Sequence, residues 1–319
     1  MYKKVVCIIT SFFFCFLSAF GTGAREPVFP EKNKEIIMLC PQSKGGGTDV
    51  IARKLAAEMN KISDVTVIVE NVSGRGSADG TDKVLSLPAD GYTVLVGGSH
   101  TISTTLQGLT AGDRELECIA SLNEDPYILA VKSDGPYTSF VRFADSASAH
   151  KGMIVIGNAG SGSASEAAGE GLNSAVNHVF SIIPSEGSSG LIESLKTGKC
   201  AAGIFSQSEI LRFHEILNPL VILTNGHSTM KSLAGIPTLE ELGIHSSIPG
   251  FSYRCLMVKK GTDIGRKIRL SEIIEKAYYS ESFQEFQKSS GLIQVFSKLD
   301  KADAFYRELS AEYAKLLKH

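Results

Sequence analysis

The stretch Ile36 to Met59, IIMLCPQSKGGGTDVIARKLAAEM, reads as a buried strand, a glycine-rich turn and an amphipathic helix. Ile36, Ile37, Met38, Leu39 and Cys40 form a continuously apolar run, the pattern of a strand covered on both faces of a mostly parallel sheet. Pro41 ends it. Beyond the turn, Ile51, Leu55, Met59 and Ile62 recur at helical spacing while Arg53, Lys54 and Glu58 lie off that stripe. The helix is expected to begin near Thr48, with Thr48 as its N-cap and Asp49 in the first turn, where the helix dipole favours a carboxylate.

Gln42, Ser43, Lys44, Gly45, Gly46 and Gly47 lie between strand and helix. The N–H groups of such a turn can face a concave surface with no side chains in the way, which is an anion site in outline. The competing reading is that the glycines only permit positive φ. The turn by itself does not separate the two.

Outward from this unit, the plan repeats. Val65 to Glu70 (VTVIVE) is a β-branched strand followed by the turn NVSGRGSADG and a helix through Val84 and Leu87. Thr93 to Val96 is a third strand, ending in Gly97, Gly98, Ser99 and His100. Farther on come the strands Tyr127 to Val131, Met153 to Ile156 and Phe180 to Ile183, then Cys200 to Phe205 and Leu220 to Leu223. Small polar turns and helices lie between several of them. This alternation implies two α/β lobes with ligands beyond the carboxyl ends of strands. Phe251 to Val258 is expected to return the chain to the first lobe, and the remainder, Asp263–Tyr279, Glu281–Ser289 and Asp300–Leu317, is expected to be helical.

With 319 residues, 43% apolar content and a formal charge of −2, the chain can bury one large or two ordinary cores, and nothing in it is basic enough to suggest nucleic acid. At the N-terminus, Lys3 and Lys4 precede an apolar run, Val5 to Phe20, followed by GTGA. That is the order of a secretory signal peptide cleaved after Ala24. A single-pass anchor is the alternative, although about sixteen apolar residues is short for a span. Lipid anchoring at Cys15 is disfavoured by the bulky Phe14 before it and the apolar residues after it. Cys40, Cys118, Cys200 and Cys255 lie in or beside apolar runs without CxxC spacing, and are expected to be buried free thiols.

Five blocks, CPQSKGGGTDVIARKLA, VIVENVSGRGSADG, PADGYTVLVG, IGNAGSGSASEAAG and IPSEGSSGLIESLKTGK, resemble in order those of the extracytoplasmic solute receptors of the tripartite tricarboxylate transporter family, the Bug-type receptors. The resemblance implies a type II periplasmic binding-protein fold, two α/β lobes joined by crossings near Leu122 to Pro126 and Phe251 to Cys255. Residues 1–24 would be the signal peptide, 25–124 plus 253–319 a discontinuous first lobe, and 125–252 the second. It further implies a periplasmic receptor with no cofactor, whose ligand is a small carboxylated molecule, an organic acid or amino acid, passed to the large and small membrane subunits of a secondary transporter. Family ligands are held by backbone amides, small hydroxyls and water.

Carried over by position, Gln42, Ser43, Gly45, Gly46, Gly47 and Thr48 match the first-lobe ligand loop, with Ser99 and His100 at the neighbouring strand end. Asn158, Ala159, Gly160, Ser161, Gly162 and Ser163 match the second-lobe loop, and Ser185, Glu186, Gly187 and Ser188 the loop after the next strand. The sequence departs from the family at Gln42, commonly aromatic, at Glu166, usually His, at Ser185 and Glu186, usually Tyr-Lys, and at Ala201, usually acidic. Lys44 and Arg75 are candidates to restore positive charge, though both also read as solvated surface residues.

Two further functions compete: a receptor feeding a sensor kinase, and an exported enzyme using the same cleft. The sequence lacks GxSxG, HExxH, GxxxxGK[ST] and CxxC, and its seven His show no metal-ligand spacing. The expectation is therefore a binder and not an enzyme, closing by hinge motion about the two crossings.

Overall fold

The computed structural model describes residues 29–224, 233–245 and 250–316. The expected signal peptide and Cys15 lie outside the described residues. No helix among the described residues is long and apolar enough to cross a membrane.

The first unit forms as the apolar pattern requires. Strand β1 (Ile36–Cys40) leads through the glycine turn into α1 (Gly47–Ile62). Ile51, Leu55 and Met59 are buried against β1 and its neighbours, each worth roughly 1.5–3 kcal/mol of transfer free energy. Ile62 departs from the expected stripe. It is 40% exposed at the last helical residue, and Ala52 and Ala56 complete the buried face instead. The N-cap also differs, being Gly46 with no side-chain bond, and Thr48 is the second helical residue. The Thr48 hydroxyl is held elsewhere, as described below.

β2 (Val67–Asn71) pairs parallel with β1, and β1 pairs parallel with β3 (Thr93–Gly98). Between β2 and β3 lie a 3-10 turn (Arg75–Ser77) and α2 (Ala78–Ser86). After β3 come α3 (Ser99–Leu106) and α4 (Gly112–Glu115).

β4 is a single strand of seventeen residues, Leu116–Lys132. Only its last third, Tyr127 to Val131, reads as a strand in the sequence, because LNEDP has the composition of a linker. Up to Pro126 it pairs antiparallel with β9 (Phe251–Lys259), and from Tyr127 onward with β7 (Ala202–Ser206) and β8 (Leu217–Ile222). Pro126 sits at that change of partners, where a residue without an N–H removes no ladder bond from a continuous sheet. Tyr127 then donates its N–H to the Gly250 carbonyl at 2.7 Å.

The first sheet runs β2-β1-β3-β9-β4, with β9 antiparallel to β3 and the short β10 (Ile293–Gln294) on β4. It is mixed, since the returning strand β9 enters against the direction of β3. The second sheet continues β4-β7-β5-β6, with β5 (Ile154–Asn158) parallel to β6 (Phe180–Pro184) and to β7. Around it lie α5 (Phe140–Ala149), α6 (Ala164–Ala175), α7 (Gly187–Lys196) and α8 (Gln207–Arg212). The chain closes on the first sheet with α9 (Ile264–Tyr278), α10 (Glu281–Ser289) and α11 (Asp300–Leu316). Cys40, Cys118, Cys200 and Cys255 are buried and unpaired by disulfides.

The two lobes touch. Ala167 of α6 packs in one apolar cluster with Leu39, Ile102 and Tyr253 of the first lobe. A Cβ at Gly76, in the 3-10 turn, would lie 2.7 Å from the Ser161 carbonyl oxygen.

Candidate functional site

In the first-lobe loop, Ser43 and Gly45 are exposed and Gln42, Gly46 and Gly47 half-buried. Gly45 has φ of 82°, which glycine adopts without strain. Its N–H donates to Asp49 Oδ2 at 2.8 Å. Burial alone would raise the Asp49 carboxyl, but the bonds from Arg53, Gly45 and Asn71 outweigh it and hold the group below the usual carboxylate range. Asp49 therefore braces the turn as an anion. Asn71 adds a bond to the Gln42 carbonyl at 3.0 Å.

The sequence expectation missed Arg254. It lies on β9, is 5% exposed, and is the charged residue in the apolar run FSYRCLMV, which was the available signal. Its Nε donates to Thr48 Oγ1, and its Nη1 to Asn123 Oδ1 and Asp125 Oδ2, each at 3.3 Å. Asp125 in turn accepts from Ser208 N at 3.2 Å and Ser208 Oγ at 2.6 Å. A polar chain thus runs from α1 in the first lobe, through the hinge strands, to α8 in the second. Arg212 of α8 also donates to the Gly45 carbonyl at 3.1 Å, and Gln207 donates to the Gly291 carbonyl.

Ser99 and His100 open α3 and are buried. Ser99 Oγ accepts the Tyr253 N–H at 3.0 Å, so its hydroxyl holds β9 in place. His100 Nε2 donates to the Val96 carbonyl at 3.2 Å. Burial, helped by the nearby charge of Arg254, lowers its pKa to about 4, so the ring is neutral near pH 7.

In the second lobe, Asn158 ends β5 and accepts the Gly160 N–H on Oδ1 at 2.8 Å. Ser163 is the N-cap of α6 and accepts the Glu166 N–H at 3.1 Å. The Ala159 N–H is taken by Ser165 Oγ, the Ser163 N–H by the Gly160 carbonyl, and the Gly162 N–H by Glu166 Oε2 at 2.7 Å. Several amides of this loop therefore already have internal acceptors, which narrows what it offers a ligand. Burial raises the Glu166 carboxyl above its ordinary value, against the Gly162 bond. Gly162 itself is buried, and a Cβ there would meet Gln107 at 3.2 Å and Leu109 at 3.5 Å from the first lobe.

Ser185 and Gly187 bond back to this loop, donating N–H groups to the Asn158 and Ala159 carbonyls at 3.0 and 2.9 Å. Ser188 Oγ donates to Glu209 of α8. Glu186 is exposed. The structure thus joins the two second-lobe loops to each other, and brings the first-lobe loop to α8. No hydrogen bond directly joins Ser43–Thr48 to Asn158–Ser163 among the described residues. Arg75 is half-exposed and bonded to Asp79 and Asp82 at 2.6 and 2.7 Å, and Lys44 is exposed.

No group of three metal-ligating side chains occurs among the described residues. An open hollow of about 780 Å³ lies between α1 and α10, lined by Val50, Lys54 and Phe286.

Two α/β lobes sharing continuous hinge strands, with a helix N-terminus and a buried guanidinium at their junction, define a two-lobed binding protein of the periplasmic type. Residues 51–319 match the TctC family, and the chain belongs to the tripartite tricarboxylate transporter family receptors. It is 25% identical over 312 residues to protein BugT of Bordetella pertussis, covering 95% of this chain and 94% of that one. Its fold is similar to that of the periplasmic binding protein BugD, with a TM-score of 0.81 at 22% identity over 90% of this chain and 97% of that one. It is also similar to MatC of Rhodopseudomonas palustris, solved with bound malate, with a TM-score of 0.76 at 22% identity over 89% and 99%.

Proposed function

We propose that the chain is an exported receptor that captures a small carboxylated solute between its lobes and delivers it, untransformed, to the membrane subunits of a secondary transporter. The observation that carries this reading is the N-terminus of α1, abutted by Arg254, at the junction where Asp125 and Gly45 bond across to α8. Donors that face an anion and close around it across a hinge suit capture and release. The family membership and the malate bound to MatC support a carboxylate as the solute.

The test is a thermal-shift screen of the purified mature chain against mono-, di- and tricarboxylates and acidic amino acids. A binder raises the melting temperature by mass action, with the acid recovered unchanged. No shift from any acid, or conversion of one, sinks the reading.

A further inference from the structure

Arg254 is a buried cation with donors to spare. Its Nε and Nη1 are spent on Thr48, Asn123 and Asp125, but Nη2 meets no acceptor among the described residues. A Cβ built on Gly47 would lie 3.3 Å from Nη2, so this edge of the guanidinium lies against the first turn of α1. There Val50 is the first helical residue whose N–H bonds back to the loop, at 3.0 Å to the Gly46 carbonyl. The amides of Gly47 and Thr48 precede it.

Asn123 Oδ1 and Asp125 Oδ2 fix the opposite edge of the guanidinium, so Nη2 is held in place against the amides that open α1. A buried guanidinium edge without an acceptor, set beside a helix N-terminus, is a place for an oxyanion.

We propose that Arg254 Nη2, with the first-turn amides of α1, grips one carboxylate of the solute directly. Arg254 is thereby a specificity-determining residue that demands a full negative charge at that end. This rests on the receptor reading and departs from a site built only of amides, hydroxyls and water. A neutral amide in place of that carboxylate leaves the guanidinium edge unpaired and is rejected.

The test measures binding of malate, adipate, glutamate and benzoate, and of the corresponding amides, by calorimetry to the mature wild-type chain, to Arg254→Lys and to the double variant Arg254→Met/Asp125→Asn. The double variant removes both buried charges together and so spares the fold an uncompensated ion. The expected result is a loss of at least about tenfold in affinity for the best-binding acid in the folded double variant, an intermediate loss in Arg254→Lys, and no binding of its amide. A folded double variant that binds within about threefold of wild type, merely less stable, marks a structural brace and overturns the proposal while the receptor reading stands. If no acid binds wild type, both fall. A crystal structure of the wild-type complex is a second readout that needs no variant. A carboxylate oxygen in direct contact with Nη2 supports the proposal, and a water between them or a carboxylate held elsewhere overturns it.

Discussion

Arg254 Nη1 and Asp125 Oδ2 sit 3.3 Å apart, with the guanidinium side chain 6% and the carboxylate 0% exposed. A pair so buried contributes little net stability while intact, yet breaking it leaves one ion without a partner or water. Relative to wild type, Asp125→Ala is expected to cost about 3–5 kcal/mol, and the double variant Arg254→Met/Asp125→Asn much less. Urea unfolding of the three proteins measures this, and equal costs would mean that water reaches the pair.

His100 gives the protein a pH dependence of known sign. Its pKa falls from an ordinary 6.5 to about 4 in the folded chain, through burial first and the charge of Arg254 second. Between those values the unfolded chain binds more protons, so the contribution is intact above pH 6.5 and is lost as pH falls toward 4. The loss is at most about 3 kcal/mol. His100→Gln is expected to flatten the slope of stability against pH in that window, and an unchanged slope would show that the imidazole reaches solvent.

Glu166 acts in the opposite sense. Its carboxylate is half-buried on the Gly162 N–H and its pKa is raised, chiefly by burial. The charged form is thus the one the fold disfavours. Glu166→Gln keeps an acceptor for Gly162 without the charge, so a small gain, under about 1 kcal/mol, is expected at pH 8 and none at pH 4. Melting curves at the two pH values check it.

Much of this architecture is legible in the sequence, because strand, turn and helix alternate with clear periods, and β1, α1, α10 and α11 fall close to where the pattern puts them. What is not legible depends on distant partners. Asn123 and Asp125 look like linker residues until Arg254 is placed beside them, 131 and 129 positions away. Thr48 has the chemistry of an N-cap, but its hydroxyl accepts from Arg254, 206 positions on, and the cap passes to Gly46. The second-lobe loop reads as a row of free amides because nothing in the spacing reveals that Ser165 and Glu166 fold back onto it.

Closure can be tested at the point where the lobes meet away from the hinge. Gly76 has φ of 67°, and a Cβ there would lie 2.7 Å from the Ser161 carbonyl and 3.2 Å from Gly162 Cα. Both contacts are backbone and cannot swing aside. Gly76→Ala therefore adds a clash that exists only when the lobes are together, on top of a positive-φ strain that exists whether they are open or closed. Gly198 has φ of 73° with nothing within 4 Å of a Cβ, so Gly198→Ala carries the strain alone and serves as the control. Gly76→Ala is expected to weaken the best-binding carboxylate by about tenfold or more, while Gly198→Ala changes affinity little and loses only about 1 kcal/mol of stability. Small-angle scattering should show wild type contracting when saturated with that acid and Gly76→Ala contracting less. Equal contraction and equal affinity would mean that the captured state does not bring Gly76 onto Ser161.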